Sequence, residues 1–253
     1  MFNPTHALVR QPCAELGGAL TRRGWCDAEP TLAARQHASY VAALRAAGLK
    51  VTVLPALKGQ PDACFVEDCA VVFNGRALLT RPGAVVRQPE VESVGRVLKT
   101  KLECLDMDGA GRLDGGDVLR LGDRFFVGRS SRSDAGGIEA LGRAFGVEVV
   151  AVDVGDALHL KSVATAIDED CVLVLEGALE PDVFAGVARV LSVPRQEAVA
   201  ANVLRIGASV LMPPGCPQTA EQINALGWEV VEVDASEFNK MDGALTCLSV
   251  CWS

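Results

Sequence analysis

No apolar run in this sequence reaches the roughly 18 residues that a membrane-spanning helix needs, although 49% of its 253 residues are hydrophobic. A sizeable core can therefore form, and no membrane partner is expected. The first residues, MFNPTHALVRQP, have no charged stretch leading into an apolar one. That is not the pattern of a secretory signal, and the expected compartment is the cytoplasm. Positive charge is in deficit: 24 lysines and arginines face 32 acidic residues, giving a net charge of -8. This balance argues against a nucleic-acid partner, while it favours small cations. No CxxC pair occurs among the nine cysteines, so a cysteine-rich zinc site is not expected. Their odd number in a long chain also speaks against a disulfide framework. Most lie in apolar strand-like runs such as CAVV and CVLVL, where cysteine serves as a small core residue. Linkers and low-complexity stretches are missing too, which predicts one domain over residues 1–253.

An internal repeat is present instead. DVLRLGDRFFVGR from Asp117 and NVLRIGASVLMPP from Asn202 both read as strand, tight turn, strand. CAVVFNGRALLTRP from Cys69 has the same form around an Asn-Gly hairpin turn. VATAIDEDCVLVLEG from Val163 makes a fourth hairpin. The two ends of the chain supply a fifth: CLSV from Cys247 would pair with HALVRQP from His6. Helical spacing follows in LAARQHASYVAALRAAG, EVESVGRVLKTKL, AGGIEALGRAFG and TAEQINALG. Third strands follow as KVTVLPAL, KLECLDMD, VEVVAVDV and WEVVEVDA, with VARVLSVP after a weak helix in the fourth unit. The pattern ββαβ, five times, predicts an α/β five-bladed propeller with pseudo-five-fold symmetry, helices outside and a central cavity. Outer helices offer a surface on which a homodimer could form. A doubly wound sheet is the alternative, and it leaves the matched hairpins unexplained.

The repeat also organises the polar residues. At the start of each first strand stand Glu67-Asp68, Asp114 to Asp117, His159, Asn202 and Cys247. Each alone has a plain structural explanation. A cysteine near the C-terminus is usually core, and Asn202 could cap a turn. FVED could be a solvated strand end, and the glycines of LDGGDV could serve backbone geometry alone. Five units around an axis, however, would point all of these positions into one cavity.

A cysteine and a histidine together suit nucleophilic catalysis by a thiolate. Several carboxylates nearby would raise the thiol pKa unless a bound cation offset them. A guanidinium is such a cation, and its planar N–H groups match carboxylate geometry.

At this point the residues resemble a known family. PDACFVED (61–68), LLTRPGA (78–84), LDGGDVL (113–119), FFVGRSSRSDAGG (125–137), LHLKS (158–162), AAN (200–202) and KMDGALTCLSV (240–250) are similar, in order, to the dimethylarginine dimethylaminohydrolases of the amidinotransferase, or pentein, superfamily. The resemblance runs essentially end to end and implies the same five-bladed fold. It implies Cys247 as nucleophile, His159 as general acid/base and Asp114 as the residue that orients His159. Asp68, with Glu67 beside it, would hold the guanidinium. Arg81 and Arg132 would bind the substrate α-carboxylate, and Asp62 with the Leu20 segment the α-amino group. Met241 stands beside the substrate where relatives carry Ile or Val. The implied reaction converts Nω-methylated arginine to citrulline and an alkylamine through a covalent thiouronium, without a cofactor. A zinc ion could inhibit by binding Cys247 and His159, although two ligands make a poor structural site. Asn202 receives no chemical step. An arginine deiminase, which would grip both free guanidinium nitrogens with two carboxylates, is the nearest alternative. A non-catalytic binder of arginine analogues and a structural interaction module are the others.

Overall fold

The computed structural model describes residues 3–253 and contains five three-stranded sheets. The second unit shows the plan. Strand β3 (Ala70–Phe73) pairs antiparallel with β4 (Arg76–Leu79), helix α2 (Glu90–Leu98) crosses over, and β5 (Glu103–Asp106) pairs parallel with β4. The third unit repeats it with β6 (Val118–Leu121), β7 (Arg124–Arg129), α3 (Ala135–Phe145) and β8 (Val149–Asp153). The fifth does so with β12 (Leu204–Ile206), β13 (Ser209–Met212), α4 (Pro217–Ala225) and β14 (Glu229–Glu232). The hairpin between β3 and β4 turns on Asn74 and Gly75, with φ of 48° and 75°. Two consecutive positive φ values are what a two-residue hairpin of matching twist requires. Helix α3 is bounded as its sequence suggests. The Asp134 side chain accepts the Gly137 N–H at its start, and Gly146 closes its end at φ 67°.

The first unit is built from both ends of the chain. Strand β1 (His6–Arg10) pairs antiparallel with β15 (Ser249–Trp252) and parallel with β2 (Lys50–Leu54), with α1 (Pro30–Ala46) as the crossover. The register runs from His6 opposite Trp252 to Val9 opposite Ser249. First strands of neighbouring units touch at β15 and β3, at β6 and β9 (Ala164–Asp168), and at β9 and β12. Together they line a cavity of about 890 Å3 to which all five contribute. The five ββαβ units therefore ring an axis, as the repeat predicts.

The fourth unit departs from the plan. β9, β10 (Cys171–Leu175) and β11 (Arg189–Val193) form the expected sheet, but turns rather than a helix occupy 176–188. The expected weak helix is excluded by its own residues. Gly177 and Gly186 take φ of 65° and 80°, and Pro181 between them cannot donate to a helical ladder. Phe184 fills the space instead, its ring 5.0 Å from that of Phe126.

Among the described residues no helix is long and apolar enough to cross a membrane. Each first strand is preceded by a 3-10 turn: Val66–Cys69, Gly115–Asp117, Leu160–Ser162, Arg195–Ala201, and, before β15, Thr246–Leu248. These five turns position the site.

Deleting residues 3–10 should unpair the strand that directly follows Cys247. Burial of Leu8 and Val9, both 0% exposed, is lost with it, roughly 3–6 kcal/mol together. A fall in the thermal midpoint and loss of turnover are expected. An unchanged midpoint with unchanged turnover would overturn the closed ring.

Candidate active site

Asp114 and His159 hold the same place in successive units: each is the N-terminal cap of its 3-10 turn. Extended backbone at both positions, ψ 136° and 160°, turns the side chains toward the axis. There they meet: a His159 ring nitrogen lies 3.0 Å from an Asp114 carboxylate oxygen. The other Asp114 oxygen accepts the Gly83 N–H at 2.8 Å. Asp68, inside the Val66–Cys69 turn, accepts the Gly116 N–H at 2.9 Å and an Arg87 N–H at 2.5 Å. Cys247 lies inside the Thr246–Leu248 turn and is half-buried.

A narrow cavity lies against these groups. Asp68, His159 and Cys247 line its floor with Arg87 and Arg132. Asp62, Leu20, Phe65, Leu158, Met241, Asp242 and Gly243 complete the wall. Both Asp62 oxygens accept the Leu20 N–H, at 3.1 and 3.2 Å, which draws the segment after β1 over the cavity. The Arg132 side chain makes no hydrogen bond or ion pair among the described residues.

Charge is finely balanced here. Burial alone would push the Asp68 carboxyl up, but the His159 imidazolium and the Arg87 guanidinium outweigh it and hold Asp68 at about 2. Burial would likewise lower His159. The Asp68 charge, the bond to Asp114 and the charge of Asp117 prevail and raise it to about 9. The resting histidine is thus an imidazolium at neutral pH. Burial, then the charges of Glu67 and Asp68, push the Cys247 thiol well above its ordinary range. The cavity is therefore lined by both a neutral thiol and a charged histidine.

The family model described as N,N dimethylarginine dimethylhydrolase, eukaryotic, matches residues 26–206. An N(G),N(G)-dimethylarginine dimethylaminohydrolase of Streptomyces coelicolor is 41% identical over 96% of this chain and 95% of its own. The Pseudomonas aeruginosa protein of the same name is 32% identical over 97% and 98%. This chain belongs to the dimethylarginine dimethylaminohydrolase family. Among solved structures, a cysteine-to-serine variant of the Pseudomonas dimethylarginine dimethylaminohydrolase complexed with citrulline superposes with a TM-score of 0.91 at 31% identity. It covers 99% of this chain and 100% of the other. The N-terminal domain of a cyanobacterial arginine dihydrolase superposes at 0.88 but is 17% identical, and so shows the fold alone.

Within the family site, two expectations need correction. Glu67 does not face the substrate cavity. Its carboxylate accepts from Lys161 at 2.5 Å and from the Thr246 hydroxyl at 2.8 Å, lining the larger axial cavity instead. Successive side chains of a 3-10 turn diverge by about 120°, so Asp68 and Glu67 cannot point the same way. Arg81 is likewise absent from the cavity. Its guanidinium is taken up by the carbonyls of Met107, Gly109 and Gly111. The TRPGA segment reaches the site through Gly83, where a Cβ would lie 2.3 Å from the Arg132 carbonyl oxygen. Cys247 and His159, the possible zinc pair, both line the cavity. The close group of ligand atoms, within 4.8 Å of one another, is Asp68, Asp114 and His159, without Cys247. All three are already engaged by protein partners.

Arg87 is the functional residue that sequence reasoning missed. It is 4% exposed, while its neighbours Val85 and Val86 are 73% and 68% exposed. Hydropathy patterning predicts the reverse, so no signal in the sequence points to it. Asn202 proves to be a bridge. Its amide donates to the Lys161 carbonyl and Thr246 hydroxyl, and accepts the Thr246 N–H, tying the turns after His159 and around Cys247.

Gly116 permits a close approach to the His159 ring. A Cβ there would lie 2.6 Å from the His159 ring and 2.9 Å from an Asp68 oxygen. Gly116→Ala should cost at least about a hundredfold in turnover through a displaced histidine, measured as citrulline release. Near-normal turnover would show that the ring has room to move.

Proposed function

We propose that this protein hydrolyses the guanidino group of Nω-methylated arginine, giving citrulline and methylamine or dimethylamine, with Cys247 as nucleophile. The observation that carries the reading is the shared cavity. It joins a neutral thiol, a histidine backed by Asp114, a carboxylate for the guanidinium and an unpaired arginine for an amino-acid carboxylate. Site residues come from several units, so the chain works as one domain.

The chemistry follows from the charges. An incoming guanidinium places its positive charge beside Asp68, offsetting the carboxylates that hold the Cys247 thiol neutral. The thiol proton leaves to solvent, and the thiolate adds to the guanidinium carbon. His159, already an imidazolium, gives its proton to the departing amine, and the carbon–nitrogen bond breaks to leave a thiouronium. Neutral His159 then takes a proton from water as the water adds to that carbon. Expulsion of the thiolate gives citrulline. The scheme requires no cofactor. Asp114 holds the histidine ring in place throughout, Asp62 with the Leu20 segment receives the α-amino group, and Met241 and Phe65 supply apolar wall.

The deiminase alternative asks for two carboxylates on the guanidinium. Here Glu67 is turned away and bonded to Lys161. One carboxylate with apolar neighbours suits a guanidinium with a substituted nitrogen. Citrulline release from free, monomethylated and dimethylated arginine tests this directly, and preference for free arginine would reject it.

Cys247→Ser should abolish turnover while retaining the fold, because the elevated thiol still ionises far more readily than a hydroxyl. Its raised pKa also predicts how labelling depends on pH. Neutral iodoacetamide should react slowly with Cys247 at pH 7 and faster as pH rises toward 10. A cationic haloacetamidine should react rapidly at pH 7, since it brings the missing positive charge. Equal pH profiles for the two reagents would contradict the electrostatic account.

Arg132→Ala should raise KM for the amino-acid substrate roughly ten- to hundredfold, from loss of about 1.5–3 kcal/mol of charge-assisted bonding. A substrate analogue lacking the carboxylate should lose little further in that variant. Proportional losses on both substrates would reassign Arg132.

A further inference from the structure

Asp117 has no part in the scheme above, yet it is 0% exposed and takes three hydrogen bonds on its two oxygens. Oδ1 accepts the N–H of Leu160, the residue after His159, at 2.9 Å. Oδ2 accepts the hydroxyls of Ser130 at 2.6 Å and Ser133 at 2.7 Å. Those serine oxygens are themselves acceptors. Ser130 takes the N–H of Arg132 at 3.0 Å and of Ser133 at 3.2 Å, and Ser133 takes the N–H of Asp114 at 3.0 Å. Backbone donors thus occupy the serine oxygens and leave each hydroxyl proton for Asp117. A side chain that only accepts is an ionised carboxylate. Strand β7 makes room for it, since a Cβ at Gly128 would lie 2.4 Å from Oδ1.

We propose that Asp117 is a positioning residue that couples substrate recognition to proton transfer, one buried carboxylate fixing the backbone beneath Arg132, Asp114 and His159 together. This rests on the hydrolase reading of the cavity. Through Ser130 the anion holds the loop that presents Arg132 to the substrate carboxylate. Through Ser133 and Leu160 it holds the acid/base pair in register with that loop. Its charge also faces His159, together with Asp68 from the Val66–Cys69 turn and Asp114 from its own turn. Arg87, Arg132, Cys247, Asp62 and Asp242 are the other charged or titratable groups of the neighbouring cavity.

The arms can be cut separately in the full-length protein. Asparagine at 117 cannot serve all three donors: with its oxygen toward the serines, its NH2 opposes the Leu160 N–H. Ser130→Ala should raise KM about tenfold with kcat changed by about twofold or less, while Ser133→Ala should lower kcat about tenfold with KM nearly unchanged. Asp117→Asn should show both effects, and the proton affinity of His159 should fall about tenfold. That titration is readable by NMR because the chain has only three histidines. An unshifted His159 titration in Asp117→Asn overturns the proposal. So do the same proportional losses in kcat and KM from both serine variants, which would indicate general loosening. If Asp117→Asn fails to fold, the split between the serine variants decides. Absence of citrulline release by the wild type would instead reject the hydrolase reading, and the histidine titration would still decide the coupling.

Discussion

Arg87 is buried, yet its guanidinium is saturated by two carboxylates and two carbonyls. It donates to Asp68 at 2.5 Å, to Glu90 at 2.9 and 3.2 Å, and to the carbonyls of Asp62 and Phe65 at 3.2 and 3.0 Å. One side chain therefore anchors the Asp68 carboxylate, the backbone of Asp62 and Phe65, and the start of helix α2. Burying an isolated charge is expensive, and a buried pair is stable only when its remaining hydrogen bonds are also met. Here they are met on every side. Removing one partner would leave an uncompensated charge in the interior, a cost of about 3–5 kcal/mol. With His159, this support keeps Asp68 ionised despite its burial.

The ring gives these charges their placement. A 3-10 turn at the head of each first strand delivers side chains to the axis from five separate parts of the sequence. Pairing of β1 with β15 closes the ring at the point where Cys247 enters. Asn202 and the Glu67–Lys161 pair then tie neighbouring turns to one another beneath the substrate cavity. The nucleophile thus depends on residues that never approach the substrate.

Much of this is legible in the amino-acid sequence. The hairpins, the third strands, the pairing of the termini and the convergence of Asp68, Asp114, His159 and Cys247 follow from a repeat that turn chemistry marks clearly. What the sequence hides has a common physical cause: contacts between units are not periodic. Val85 and Val86 look like core and Arg87 like surface, because nothing nearby in sequence reveals that Asp68 and Glu90 await a cation. Glu67 looks equivalent to Asp68 because adjacency in sequence does not reveal the angle between side chains in a 3-10 turn. Arg81 sits in a motif that does reach the site, but through the glycine two residues later. In the fourth unit the repeat itself suggests a helix that Gly177, Pro181 and Gly186 do not allow.

The elevated thiol is at first sight a poor choice of nucleophile. It becomes a selective one once the source of the elevation is considered. Burial and two carboxylates hold the proton on Cys247 in the empty site, which protects it from oxidants and adventitious electrophiles that react with thiolates. Lys161 offsets part of the Glu67 charge, and the charge of Asp68 adds to what remains. A guanidinium seated on Asp68, as proposed above, would supply part of that offset. Because His159 owes its own proton to Asp68, Asp114 and Asp117, the proposed acid is charged before the thiol ionises. Ionisation of Cys247 is then the step that waits for substrate. A neutral isostere such as citrulline provides no such charge, so the product cannot activate the thiol that made it.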